Sequence, residues 1–298
     1  MKPPLLTHRL RRLTRHPAAV GVALLLASAA LLTSFIPAGA PFEHSDSQLA
    51  SLARESVVAL GIEWTEGSTS RRRWYGTGFL LEDSGQGITA GHVIRQLLEV
   101  RNDLHRRDLS PAFVGALPEG TVIELHDLHL NPAILHRAKD AMQPAPQDLG
   151  SFGLLTDPPS AGLSLASTPP RTGQRLVAAG FPTGVTTITY PTRTEEPIMP
   201  TIKFGHVERL VRENSSPTRA VILIQHGLPL GSGFSGSPLI NRHGKVVGVV
   251  TTSTHVHWQS DKSSEFQGPG RRFLHPTDIN FAVPAGRLRD WLATPAAK

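Results

Sequence analysis

The sequence predicts an all-β protein in which two groups of about six short strands pack side by side as barrels or sandwiches. Three observations carry that expectation. Glycine and proline number 27 and 25, so about one residue in six is a turn-former and long helices have little room. Short runs rich in β-branched and aromatic residues recur between turn clusters. Finally, the two groups are separated by the Pro-rich stretch DPPSAGLSLASTPPRTG at 157–173, without the amphipathic helices that a parallel α/β sheet places between its strands.

The elements follow in order. Residues 1–17 are a basic region and 18–36, AAVGVALLLASAALLTSFI, an uncharged apolar run. At about 1.5 Å per residue this run is roughly 28 Å long, near the ~30 Å hydrocarbon core of a bilayer. It reads as a signal peptide or a transmembrane anchor with a cytoplasmic N-terminus. The triplet Ala38-Gly39-Ala40 favours cleavage; Pro41 directly after it, and the length of the run, favour an uncleaved anchor.

Ser45-Asp46 followed by QLASLAR predicts a capped helix of one to two turns. Strands are expected at 57–64, 74–82, 88–94 and 121–130, with an apolar strand opening at Asp148. The Arg71-Arg72-Arg73 run is expected at a solvated hairpin tip. Beyond the Pro-rich stretch, strands are expected from Arg175, at 201–211, 220–227, 238–253 and 278–284, with a hairpin turn at Asn241-Arg242-His243-Gly244. Pro284 opens a short closing helix at its first helical position. The expected domains are therefore 45–160 and 172–295.

Composition excludes several functions. The chain has no cysteine, which removes thiolate metal sites, a cysteine nucleophile and a disulfide scaffold. Its net charge is +6, yet Lys2, Arg9, Arg11, Arg12 and Arg15 all precede the first acid, Glu43; beyond them 25 basic residues face 24 acidic ones. No basic stripe remains to follow phosphates, so nucleic acid is not an expected partner. His255 and His257, and His126 and His129, are close pairs, but no third ligand has fixed spacing, so no metal site is expected.

The chemistry centres on Gly231-Ser232-Gly233-Phe234-Ser235-Gly236-Ser237-Pro238. Glycines at 233 and 236 let the backbone turn tightly around Ser235, exposing its hydroxyl and gathering N–H groups at one spot. A hydrolase elbow of the form G-x-S-x-G would need glycine at 237, where this chain has serine. Upstream, Thr89-Ala90-Gly91-His92 ends an expected strand with a candidate base, and Asp148 precedes an apolar run.

Taken in order, GTGFLL, ITAGHV, QDLGSFGLL, VAAGFPTG, GFSGSPLIN, GKVVGVV and INFAVP resemble the trypsin-like serine peptidases, most closely the bacterial HtrA/Deg peptidase domain and its glutamyl-endopeptidase relatives. The resemblance runs from about Val57 to Val283, and its most specific part is G-F-S-G-S-P. It implies two six-stranded antiparallel β-barrels with a short C-terminal helix. It also implies that Ser235 is the nucleophile, His92 the general base and Asp148 the residue that orients the imidazole, with Gly233 and Ser235 N–H groups as the oxyanion hole. The spacing from His92 to Asp148 is long for the bacterial branch, which leaves Asp127 and Asp140 as rivals for the third role. Phe234 stands where a small or polar residue is usual, which leaves a narrowed cleft or a covered oxyanion site as an alternative. No PDZ module is expected after Val283.

By the same resemblance the substrate pocket is walled by 227–230, 250–253 and 255–276, with Leu228, Thr251, Thr252 and Ser253 as candidates. Neither of the first two stretches contains an acid, which argues against a Lys or Arg preference and leaves small apolar or acidic side chains. The implied activity is hydrolysis of protein or peptide substrates without a cofactor. The expected location is the periplasm, anchored in the inner membrane by one N-terminal helix, or secreted after cleavage; oligomeric state stays open. The competing readings are an inert trypsin-fold binding or sensing module and a serine esterase on another fold.

Overall fold

The computed structural model describes residues 43–82, 84–135, 144–155, 162–182, 199–214, 219–259 and 272–294, side chains within 252–278 excepted. The segment 18–36 lies outside them. Among the described residues no helix is long and apolar enough to cross a membrane.

Twelve strands are described, and they close into two barrels. The first joins β1 (Val57–Glu66), β2 (Thr69–Leu80), β3 (Gly87–Thr89), β4 (Ala112–Ala116), β5 (Val122–Leu130) and β6 (Gly150–Leu154) in the order β1-β2-β3-β6-β5-β4. The second joins β7 (Arg175–Gly180), β8 (Thr201–Arg212), β9 (Val221–His226), β10 (Pro238–Ile240), β11 (Val246–Gln259) and β12 (Arg272–Pro284) in the order β10-β11-β12-β9-β8-β7. Every paired strand is antiparallel to its neighbour.

Several strands read as unbroken apolar runs because both their faces are buried. In β1, Val58, Leu60 and Ile62 fill the first barrel, while Val57 and Ala59 point into a central core between the barrels. In β7, Leu176 and Ala178 fill the second barrel, and Val177 and Ala179 join the same central core. Helix α1 (Asp46–Glu55) and helix α3 (Ala285–Ala293) seal that core with Leu49, Ala53 and Leu288. The start of α1 is held by a capping box: Ser45 Oγ accepts from Gln48 N at 3.3 Å and Gln48 Oε1 accepts from Ser45 N at 2.8 Å.

Four local expectations need correction. The run 88–94 is not one strand: β3 stops at Thr89, and α2 (Gly91–Arg106) begins two residues later. Val93, Ile94, Leu97 and Leu104 form its buried stripe, so the pull of an amphipathic face overrides the β-branched composition of its first turn. The Arg71–Arg73 run is not a hairpin tip, since the turn is at Gly67-Ser68 and the arginines lie within β2. There Arg71 pairs with Glu66 at 2.7 Å, and Arg72 pairs with Glu63 across the β1–β2 hairpin. β4 has no counterpart in the sequence expectations, because AFVGA is too short to show a period. Pro284 is the N-cap of α3 and not its first helical residue.

Candidate active site

His92 occupies the first turn of α2, where Gly91 makes a close approach possible. A Cβ on Gly91 would lie 2.7 Å from Leu149 O and 3.2 Å from Asp148 Oδ1. Without it, the chain entering β6 lies against the helix start. Asp148 then grips His92 twice: His92 N donates to Oδ1 at 2.8 Å, and His92 Nδ1 meets Oδ2 at 2.6 Å. The Nδ1 contact fixes the tautomer and leaves Nε2 as the other ring nitrogen. Asp148 is 4% exposed, whereas the His92 side chain is 31% exposed; the acid is shielded and the imidazole reaches solvent.

Thr251 of β11 also donates its hydroxyl to Asp148 Oδ2. Burial by itself raises the Asp148 pKa, but the charge on His92 and the hydrogen bonds from His92 and Thr251 outweigh it, holding the carboxyl below the usual range. The acid is thus kept ionised by contacts from both barrels.

Ser235 sits on the turn between β9 and β10. Its segment docks on the strand that leads to His92: Gly236, at φ 88°, has Thr77 O and Thr89 Oγ1 where a side chain would go. A Cβ on Gly76 would lie 2.7 Å from Val93 Cγ2 and 3.1 Å from Ser235 O, so the neighbour of His92 and the main chain of Ser235 meet over that glycine.

The turn is held almost everywhere except where an oxyanion would bind. Phe234 N donates to Gly231 O at 3.3 Å, Gly236 N to Val250 O at 2.8 Å and Ser237 N to Phe234 O at 2.9 Å. Among the described residues, the N–H groups of Gly233 and Ser235 donate no hydrogen bond. Two unpaired donors, one on the serine itself and one two residues before it, provide what a tetrahedral oxyanion needs. Ser235 Oγ has no hydrogen-bond partner among the described residues; catalytic hydrogen bonds often tighten only once substrate is bound.

Phe234 does not cover the turn. It is 2% exposed and lies in the core of the second barrel, with Gly180 leaving room for the ring. Asp127 is exposed on β5 and bonded to its neighbour His126 at 2.7 Å; Asp140 lies outside the described residues. Of the pocket candidates, Leu228 is fully buried in the second-barrel core and Thr251 is turned to Asp148, so neither side chain is open to solvent. The side chains of Thr252 and Ser253 lie outside the described residues.

Nothing in the sequence signals the bond of Thr251, a pocket candidate, to the aspartate. Thr77 is marked in the sequence only as a polar residue between two glycines in an otherwise apolar strand end.

A family model described as trypsin-like peptidase domain matches residues 76–249, a span that includes His92, Asp148 and Ser235. It covers more than half of the chain, which belongs to this family. No curated protein matches the chain.

Proposed function

We propose that this member of the trypsin-like peptidase family is an exported serine endopeptidase working through an acyl-enzyme on Ser235. Ser235 Oγ attacks the peptide carbonyl while His92 Nε2 takes its proton. The carbonyl oxygen becomes an oxyanion held by the N–H groups of Gly233 and Ser235, a contribution of about 3–4 kcal/mol per donor. His92 then protonates the leaving amine, and water, activated by the same imidazole, releases the acid product. Asp148 stabilises the imidazolium without itself taking the proton.

The observation that carries this reading is the two-point grip of Asp148 on His92 at 2.8 and 2.6 Å. A carboxylate so placed orients an imidazole and fixes its tautomer. The wording of the segments around His92 and Ser235 supports a likeness to the HtrA/Deg branch. The five basic residues ahead of the apolar run 18–36 support export, with the peptidase unit beyond the membrane and either tethered to it or released after Ala40.

Fluorophosphonate labelling of the purified protein tests the reading, with Ser235→Ala beside it. Labelling that disappears in the variant is the expected result. A folded wild type that takes no label would sink the proposal and favour the inert binding module.

A further inference from the structure

We infer that Thr77 is a positioning residue that fixes the oxyanion turn of the second barrel from the first; the inference rests on the serine-peptidase reading of Ser235. Thr77 is fully buried in β2. Its hydroxyl donates to Gly233 O at 2.7 Å and accepts from Phe181 N at 3.0 Å. Its main-chain N–H donates to Ser235 O at 2.9 Å, and its carbonyl accepts from Thr89 Oγ1 at 2.7 Å.

These bonds reach both sides of the turn at once. The carbonyl of Gly233 belongs to the peptide that follows the first free N–H, and the carbonyl of Ser235 to the peptide that follows the second. Gly233 has φ 96°, a conformation open to glycine but not fixed by any side chain of its own. A glycine with no outside tether turns about its own φ and ψ at little cost, and such a turn at Gly233 would reorient its N–H relative to that of Ser235. The Thr77 hydroxyl supplies the tether. Phe234 N on Gly231 O, at 3.3 Å, is the longer contact at the other end of the same peptide.

The hydroxyl must both give and accept a hydrogen bond here, a requirement that serine meets and valine cannot. Thr77 touches no reacting atom. Its effect passes through Gly233 and Phe181, and the Thr89 contact extends it to the strand before His92.

The test uses the full-length chain and a fluorophosphonate, whose phosphoryl oxygen takes the place of the developing oxyanion. Wild type, Thr77→Val, Thr77→Cys and Thr77→Ser are compared for the limiting inactivation rate, the half-saturating probe concentration and the thermal midpoint. Thr77→Val is expected to slow the limiting rate on the order of 10–100-fold, less than the ~10²–10³ of deleting a donor outright. Half-saturation should stay within about twofold, since uniform binding is untouched. Thr77→Ser should restore the rate, and Thr77→Cys, a weak donor of similar size, should fall between.

The apparent pKa of the rate profile should be the same in all four proteins, because the hydroxyl does not touch the imidazole. If Thr77→Val fails to fold, the Cys-to-Ser difference decides. Equal limiting rates for folded Val or Cys variants and wild type would overturn the inference while leaving the peptidase reading intact. A folded wild type that does not react would remove both.

Discussion

Asp148 holds His92 by two different atoms, the main-chain N–H at 2.8 Å and Nδ1 at 2.6 Å. The first bond pins the start of α2 to the chain entering β6; the second sets the ring. One carboxylate therefore determines both where the imidazole is and how it is turned.

Replacing His92 or Ser235 by alanine should abolish fluorophosphonate labelling to a similar extent, since the two act as a unit. Asp148→Asn should cost about 10⁴-fold in rate through the wrong tautomer. Asp127→Asn should change the rate less than about twofold, because Asp127 is exposed and bonded to its sequence neighbour His126. A severe loss at Asp127 with a mild one at Asp148 would reassign the third role.

Thr251→Val removes one of the contacts that hold the Asp148 carboxyl below its usual pKa. A carboxyl depressed in the folded state contributes stability above its unfolded pKa of about 3.9, and this is lost as pH falls through the folded value. The variant should be less stable at neutral pH, and its acid loss should be smaller and complete at higher pH. Urea midpoints measured from pH 7 down to pH 2 check both; a curve parallel to wild type would show that the hydroxyl does not act on Asp148.

His226 titrates in a different window. It is fully buried, both ring nitrogens lack partners among the described residues, and burial lowers its pKa to about 3. Its cross-strand neighbour Asn280 is equally buried. The unfolded chain takes up a proton near pH 6.5 that the folded one refuses, so stability should decline by about 1.4 kcal/mol per pH unit from there toward pH 3. His226→Leu should flatten that slope between pH 6.5 and 4.5. An unchanged slope in chemical denaturation would place the acid sensitivity elsewhere.

Phe234→Ala should lower stability by about 3–5 kcal/mol, as expected for emptying a buried aromatic site. It should not raise the labelling rate, because the ring lies in the barrel core and not over the turn. Faster labelling in a folded Phe234→Ala protein would mean that the ring does obstruct the site.

Much of this was legible in the chain itself. Val57–Leu60 and Arg175–Gly180 announce strands by composition and flanking turn residues. The glycines at 233 and 236 mark the turn around Ser235, and the order His92, Asp148, Ser235 narrows the chemistry. Other features were hidden for definite reasons. The helix that carries His92 opens on residues that read equally well as strand, and its stripe becomes periodic only from Val93. The direction of Phe234 depends on the room left by Gly180, on another strand. Thr77 and Thr251 look like ordinary strand residues because their partners are 156 and 103 residues away.

The sequence by itself determined the strand-rich class, the two halves and the three residue types available for nucleophilic chemistry, since these follow from local pattern and side-chain identity. Only the tertiary structure decided which acid faces His92, where Phe234 points and how a threonine of the first barrel reaches the turn of the second. Each of those depends on closing the barrels and packing them on a common core, which joins groups that the chain keeps far apart.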